Sequence, residues 1–152
     1  MDLVKIGSLF VILGASALAA DLSIQIGNPA GVKNADVLIR KNPANFGVRV
    51  QGCTQPSEAR FSGTAERKSQ PSVPLTFVPG TTAGEYLVTI VPALHGKWVA
   101  MIQVECAGSK AGAIVITDAE RGYVRDGSKF LTHAPSKTEV EAVLNSIEGG
   151  SR

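Results

Sequence analysis

The chain is poor in the side chains that do most catalytic work. Its 152 residues include two histidines, two cysteines, one tryptophan and two tyrosines. A catalytic histidine needs a nucleophile on one side and an orienting carboxylate on the other. No Gly-x-Ser-x-Gly elbow or Ser-x-x-Lys supplies one. There is no His-Glu-x-x-His zinc helix and no phosphate-binding Gly-rich loop. Cys-x-x-Cys is absent, and with it the usual dithiol redox motif. Asn-x-Ser/Thr is absent as well, so the chain has no N-glycan acceptor.

Charge is sparse and balanced. Fifteen Lys and Arg face thirteen Asp and Glu, a net charge of +2. The longest basic runs are the pairs Arg40-Lys41 and Arg67-Lys68. A nucleic-acid partner usually leaves a clustered basic face, and a polybasic membrane contact leaves a basic tract. Neither is expected here.

What is present begins at the N-terminus. Lys5 precedes an apolar core of Ile6, Leu9, Phe10, Val11, Ile12 and Leu13. Small residues follow, and Ala17-Leu18-Ala19 fits the small-x-small cleavage rule, with Ala20 an alternative end. A spanning helix needs about 20 apolar residues, and this core is shorter. Residues 1–20 are therefore expected to be a cleaved export signal. No cysteine follows the core to take a lipid. No later segment is long and apolar enough to span a bilayer, so no stable membrane insertion is expected after cleavage. The expected location is secreted or periplasmic.

The remainder is rich in period-two alternation, the signature of a strand with one packed and one wet face. Leu22, Ile24 and Ile26 alternate with polar residues up to the break at Asn28-Pro29. Residues 35–40 are a second candidate. Phe46, Val48 and Val50 form a third, and Ala59, Phe61, Gly63 and Ala65 a fourth. Val73, Leu75 and Phe77 form a fifth, and residues 85–91 a sixth. Trp98, Ala100, Ile102, Val104 and Cys106 share one face of a seventh, with Gln103 and Glu105 on the other. Residues 113–117 make an eighth. Asp118, Glu120 and Asp126 read as turn formers and surface charge. Short strands at this spacing, with Gly and Pro between them, predict an all-β, antiparallel sandwich at 21–135. A barrel is the alternative, but no regular glycine pattern marks its closure.

The ending differs. Ser136-Lys137-Thr138-Glu139 matches a capping box, and Val140, Val143, Leu144 and Ile147 fall on one helical stripe. A short helix at 136–148 is expected to pack on the domain, with a partner-docking role as its alternative.

Cys106 shares parity with Trp98 and should point inward, and so should Trp98 and Tyr86 as core anchors. Cys53 is one residue out of phase, and a bulge at Gly52 would restore it. Two cysteines in an exported domain usually form a staple, so a Cys53–Cys106 disulfide is expected over a redox pair or metal site. Copper sites combine His, Cys and Met. With Cys106 oxidised, only His95 and Met101 remain as a weak alternative ligand set, and no cofactor is expected.

Gly84-Glu85-Tyr86, Pro92, Gly96, Trp98 and Cys106 resemble the paired late strands of bacterial extracytoplasmic immunoglobulin-like domains, including the YtkA-like group. Val48-Arg49-Val50-Gln51-Gly52-Cys53, Gly63-Thr64-Ala65-Glu66 and the ending from His133-Ala134-Pro135-Ser136 to Leu144 are similar to uncharacterised secreted proteins of this kind. The chain departs from the antibody pattern, because Trp98 precedes the second cysteine and does not follow the first. The resemblance implies a fold and a compartment, with no catalytic residues. The leading expectation is a non-enzymatic exported β-sandwich that binds or supports an unknown protein or envelope component. A small periplasmic copper-handling protein is the second reading. A secreted hydrolase with a site assembled from distant loops is the third.

Overall fold

The computed structural model describes residues 21–29, 44, 46–90, 96–118 and 122–149. The export segment 1–20, the candidate strand at 35–40, His95 and Glu120 lie outside the described residues. Within them run eight strands: β1 (Ser23–Gly27), β2 (Phe46–Gln51), β3 (Arg60–Glu66), β4 (Val73–Pro79), β5 (Glu85–Ile90), β6 (Lys97–Cys106), β7 (Ser109–Asp118) and β8 (Gly122–Leu131). One helix, α1 (Lys137–Gly149), follows them.

Every described pairing is antiparallel, and the strand order is β1-β2-β5-β4-β3-β6-β7-β8 in one continuous sheet. The sheet curls until β1 lies beside β7 and β8, close to a barrel. The expected all-β antiparallel domain with a C-terminal helix is present in that form. The alternating residues face a common interior. Ile24, Phe46, Val48, Val50, Leu75, Val88, Ile90, Trp98, Ile102 and Val104 form one buried cluster.

The two halves join unevenly at β3 and β4, which share only the pairs Thr64↔Pro74 and Ala65↔Val73. Where they diverge, Phe61, Phe77 and Tyr86 fill the gap, with ring centroids 5.2 to 6.4 Å apart. Offset and edge-on aromatic packing of this kind adds to simple area burial. Tyr86 thus packs against the core in a half-buried ring cluster.

β8 is not among the strands expected from the sequence, in which Asp126 reads as a turn former. Tyr123 and Val124 pair with Thr117 and Ile116, and Lys129, Phe130 and Leu131 pair with Ile114, Ala113 and Gly112. Between them Arg125-Asp126-Gly127-Ser128 leaves the register, with Gly127 at φ 84°. Asp126 therefore sits in a strand excursion and not in a turn between elements. The Ser128 hydroxyl occupies the gap: it accepts from the Ile116 N–H at 3.0 Å and donates to the Val124 carbonyl at 2.7 Å. Backbone groups that the ladder would have satisfied are thereby paired.

The outer face of β6 and β7 is also apolar. Val99, Ile114 and Ile116 form a second cluster with Val140 and Val143 of α1, joined by Met101, Val124, Leu131, Leu144 and Ile147. The helix therefore lies across the outer sheet face. Its entry is held by the expected capping box: the Glu139 N–H donates to Ser136 Oγ at 3.2 Å, and the Ser136 N–H donates to Glu139 Oε2 at 2.8 Å. Glu139 Oε1 also meets His133 Nε2 at 2.8 Å.

Two expected results arise from this entry. The Ser136 N–H first, and the His133 ring second, hold the Glu139 carboxyl below the usual carboxylate range. A depressed folded-state value means stabilisation that is present above the unfolded value and lost as pH falls through the folded one. The first turn of α1 should fray in acid, read as loss of amide-exchange protection near Glu139. In Glu139→Gln the acid step at those amides should vanish. The second result concerns Gly112, where an added Cβ would lie 2.5 Å from Pro135 Cδ and 2.6 Å from the His133 carbonyl oxygen. Gly112→Ala should cost about 1–3 kcal/mol by overpacking, measured by urea unfolding.

Candidate functional site

The sheet's two end strands meet without pairing. β1 bonds only to β2, and β8 only to β7, among the described residues. Between them lies an open cleft of about 340 Å³, lined by Ile24, Gln25, Ile26, Gln51, Tyr123, Arg125 and Phe130.

Each lining residue arrives there for a local reason. Ile24 and Ile26 are the inward residues of β1, and they face β8 because the sheet has curled. Phe130 pairs with Ala113, which is wholly buried in the main cluster. Directly paired residues share a face, so Phe130 belongs to the interior side of β8. It is nevertheless 50 % exposed, and it is the exposed large apolar side chain among the described residues. The reason is the missing neighbour: no strand among the described residues covers it from the β1 side. Tyr123, opposite Thr117, stands on the same face at the far end of the cleft. Burial raises its phenol above the ordinary value, and nearby Arg125 works against that shift. Arg125 is exposed in the excursion, with no carboxylate partner among the described residues. Gln51 Nε2 donates to Gln25 Oε1 at 3.2 Å across β1 and β2, forming a carboxamide rim.

The two edges are not alike. Natural sheets blunt exposed edges with charges, bulges and prolines. β8 carries the excursion, Arg125 and Lys129. β1, with sequence Ser-Ile-Gln-Ile-Gly, has no charge, no bulge and no proline.

No family model, no curated protein and no solved structure matches the chain.

Cys53 and Cys106 are joined, with 6.0 Å between their Cα atoms. The phase of Cys53 is set differently from expectation: Gly52 turns at φ 73° just after β2 ends, and no bulge lies within the ladder. Met101 is on the opposite face of β6 from Cys106, under α1 in the second cluster. Trp98 is buried in the main core, with the Arg67 guanidinium 5.4 Å from its ring centroid. Among the described residues no three of His, Cys, Asp and Glu gather to hold a metal ion. No helix among them is long and apolar enough to cross a membrane.

A second hollow of about 220 Å³ lies over the paired glycines Gly27 and Gly47, beside Gln25, Asn28, Arg49 and Glu85. Glu85 is buried and ion-paired to Arg49, which is half exposed. One guanidinium already answers that carboxylate, so the hollow presents a neutral, mostly apolar wall.

Sequence reasoning did not find Tyr123, Arg125 or Phe130. The only linear trace of the cleft is a lone Phe between Lys129 and Leu131, which says nothing until the end strands are known.

Proposed function

We propose that this chain is an exported, non-enzymatic, immunoglobulin-like β-sandwich that makes a specific contact with another component of the cell envelope. The observation that carries the contact reading is Phe130, an inward-facing aromatic left half exposed between two strand edges that have no ladder partner among the described residues. It is a piece of core lacking its last neighbour.

The fold part of the reading draws on strand order. β1-β2-β5-β4 follows the A-B-E-D order of an immunoglobulin sheet, and β3-β6-β7 follows C-F-G. The disulfide connects the residue just past the B-like strand to the end of the F-like strand, as the B–F bridge does in antibody domains. β8 is then an addition beyond G. The YtkA-like resemblance of the segment from Gly84 to Cys106 supports the same fold and compartment. A disulfide also favours an oxidising compartment.

N-terminal sequencing of protein from cell fractions tests export, with a first residue at Ala20 or Asp21 expected. Intact Met1 on membrane-bound protein would overturn it. Elemental analysis of protein purified without chelator tests the contact reading against metal handling. One equivalent of copper or zinc, lost in His95→Ala, would decide for the copper-handling alternative.

A further inference from the structure

We infer that the cleft between β1 and β8 binds a small aromatic carboxylate, one ring with a short acidic tail. This rests on the contact reading above and takes the component met at this cleft to be a small molecule.

Size comes first. β1 runs within 8 Å of β7 and β8 between Cα atoms. A further strand between two others needs about twice the usual inter-strand spacing, ~9.6 Å, so no polypeptide strand enters there. What the seam offers is an open cleft of about 340 Å³. A water-sized group takes about 30 Å³ of a liquid, so the cleft holds about eleven such groups. That suits one ring and its tail, and it is the low end of ordinary ligand pockets.

The chemistry is divided along the cleft. At one end Phe130 is half exposed, with Ile24 and Ile26 on the same lining. Covering this ring removes apolar surface from water. A second aromatic ring adds offset or edge-on contact that an alkyl chain does not.

The other end is Tyr123 and Arg125. They are near enough for the guanidinium to oppose the burial-driven rise of the Tyr123 phenol. That phenol stays protonated at neutral pH and can donate a hydrogen bond. Arg125 has no carboxylate partner among the described residues. No acidic residue among them lines the cleft. A guanidinium matches a planar carboxylate with two parallel N–H donors. Gln25 and Gln51, bonded to each other at the rim, are neutral and leave the sign of the site to Arg125. Arg125 is exposed, so screening limits its charge to selecting the ligand, and the ring supplies most of the affinity.

The test titrates the full mature, oxidised chain with 3-phenylpropanoate, an acid of the size the cleft holds. Binding should saturate at one equivalent, with the largest amide shifts at Ile24, Tyr123, Arg125 and Phe130. The neutral 3-phenylpropanamide should bind about fivefold more weakly, the scale of an exposed ion pair. Arg125→Gln should bring the acid down to the level of the amide and leave the amide unchanged. Arg125→Glu should reject the acid and take 3-phenylpropylamine instead, an inversion independent of any general loss of stability. Phe130→Ala should weaken acid and amide alike, by about fivefold, and octanoate should bind more weakly than the aromatic acid by a similar factor.

Equal affinity for acid and amide, or acid binding that Arg125→Gln leaves unchanged, would overturn the assignment. Octanoate binding as tightly as the aromatic acid would overturn it in favour of an alkyl acid. A peptide ending in phenylalanine that binds at least tenfold more tightly would give the cleft to a chain terminus. The same chain carrying 4-fluorophenylalanine at position 130 separates this inference from the contact reading. A fluorine shift with solubilised envelope components, and none with the acids, would overturn the ligand and keep the contact. Silence with both would overturn both.

Discussion

Replacing both cysteines, Cys53→Ala with Cys106→Ala, should destabilise the mature domain by about 2–5 kcal/mol, the range for a native disulfide in a small secreted domain. The bond spans a sequence separation of 53 residues. In the chain-entropy model, closing such a loop constrains the unfolded chain by about 4 kcal/mol. The position matters as much as the length. Cys53 follows β2 and Cys106 ends β6, so the bond ties the β1-β2-β5-β4 half of the sheet to the β3-β6-β7-β8 half. Among the described residues, the only direct ladder between those halves is the two-pair contact of β3 with β4. The expected result is a lower urea midpoint, and reduced wild type should match the double variant. Mass measurement after alkylation without reductant should show no labelled thiol in the native protein. A double variant within about 1 kcal/mol of the oxidised parent would show that the bond forms without supporting the fold, since core packing usually sets larger effects than that.

Local patterns carried most of what could be read in advance. β6 was legible because Trp98, Ala100, Ile102, Val104 and Cys106 alternate with Gln103 and Glu105, and burial follows that parity. The α1 entry was legible because a capping box is local in sequence, needing only Ser136 and Glu139. β8 was not, because Arg125-Asp126-Gly127-Ser128 interrupts the alternation and mimics a turn. The structure keeps the strand going by inserting the Ser128 hydroxyl, a repair that no periodicity displays. The seat of α1 leaves a signal in the sequence of β7. Residues 111–116 are apolar without alternation and buried on both faces. A strand reads this way when both of its faces are covered. The cleft was the least legible feature. Alternation gives the face of each side chain but not the neighbour of each strand. Phe130 becomes exceptional only once β8 is known to end the sheet, and β1 becomes a candidate edge only once it is known to begin it.

Trp98→Ala should cost about 3–5 kcal/mol, the range for removing a large aromatic from a core. Trp98 is 2 % exposed and is the largest of the fully buried side chains. It pairs with Thr117 on β7 and shares its face with Ala100, Ile102 and Val104. Two contributions meet at this ring, and their magnitudes separate them. The Arg67 guanidinium stacks on it and lies 2.5 Å from where a Cβ at Gly96 would stand, so arginine closes this end of the core. Such a cation–π contact contributes about 0.5–2 kcal/mol. The cavity left by the indole should cost more than that. Arg67→Ala should therefore lower the urea midpoint by less than half as much as Trp98→Ala. It should also shift the tryptophan emission toward longer wavelength, because water reaches a ring that arginine had covered. Trp98→Phe should fall between them, since it refills part of the cavity. A stable Trp98→Ala variant, together with water-like emission from the parent, would move this ring to the surface and make it a contact residue. Equal losses in Arg67→Ala and Trp98→Ala would instead assign the stability of this end to the charged contact.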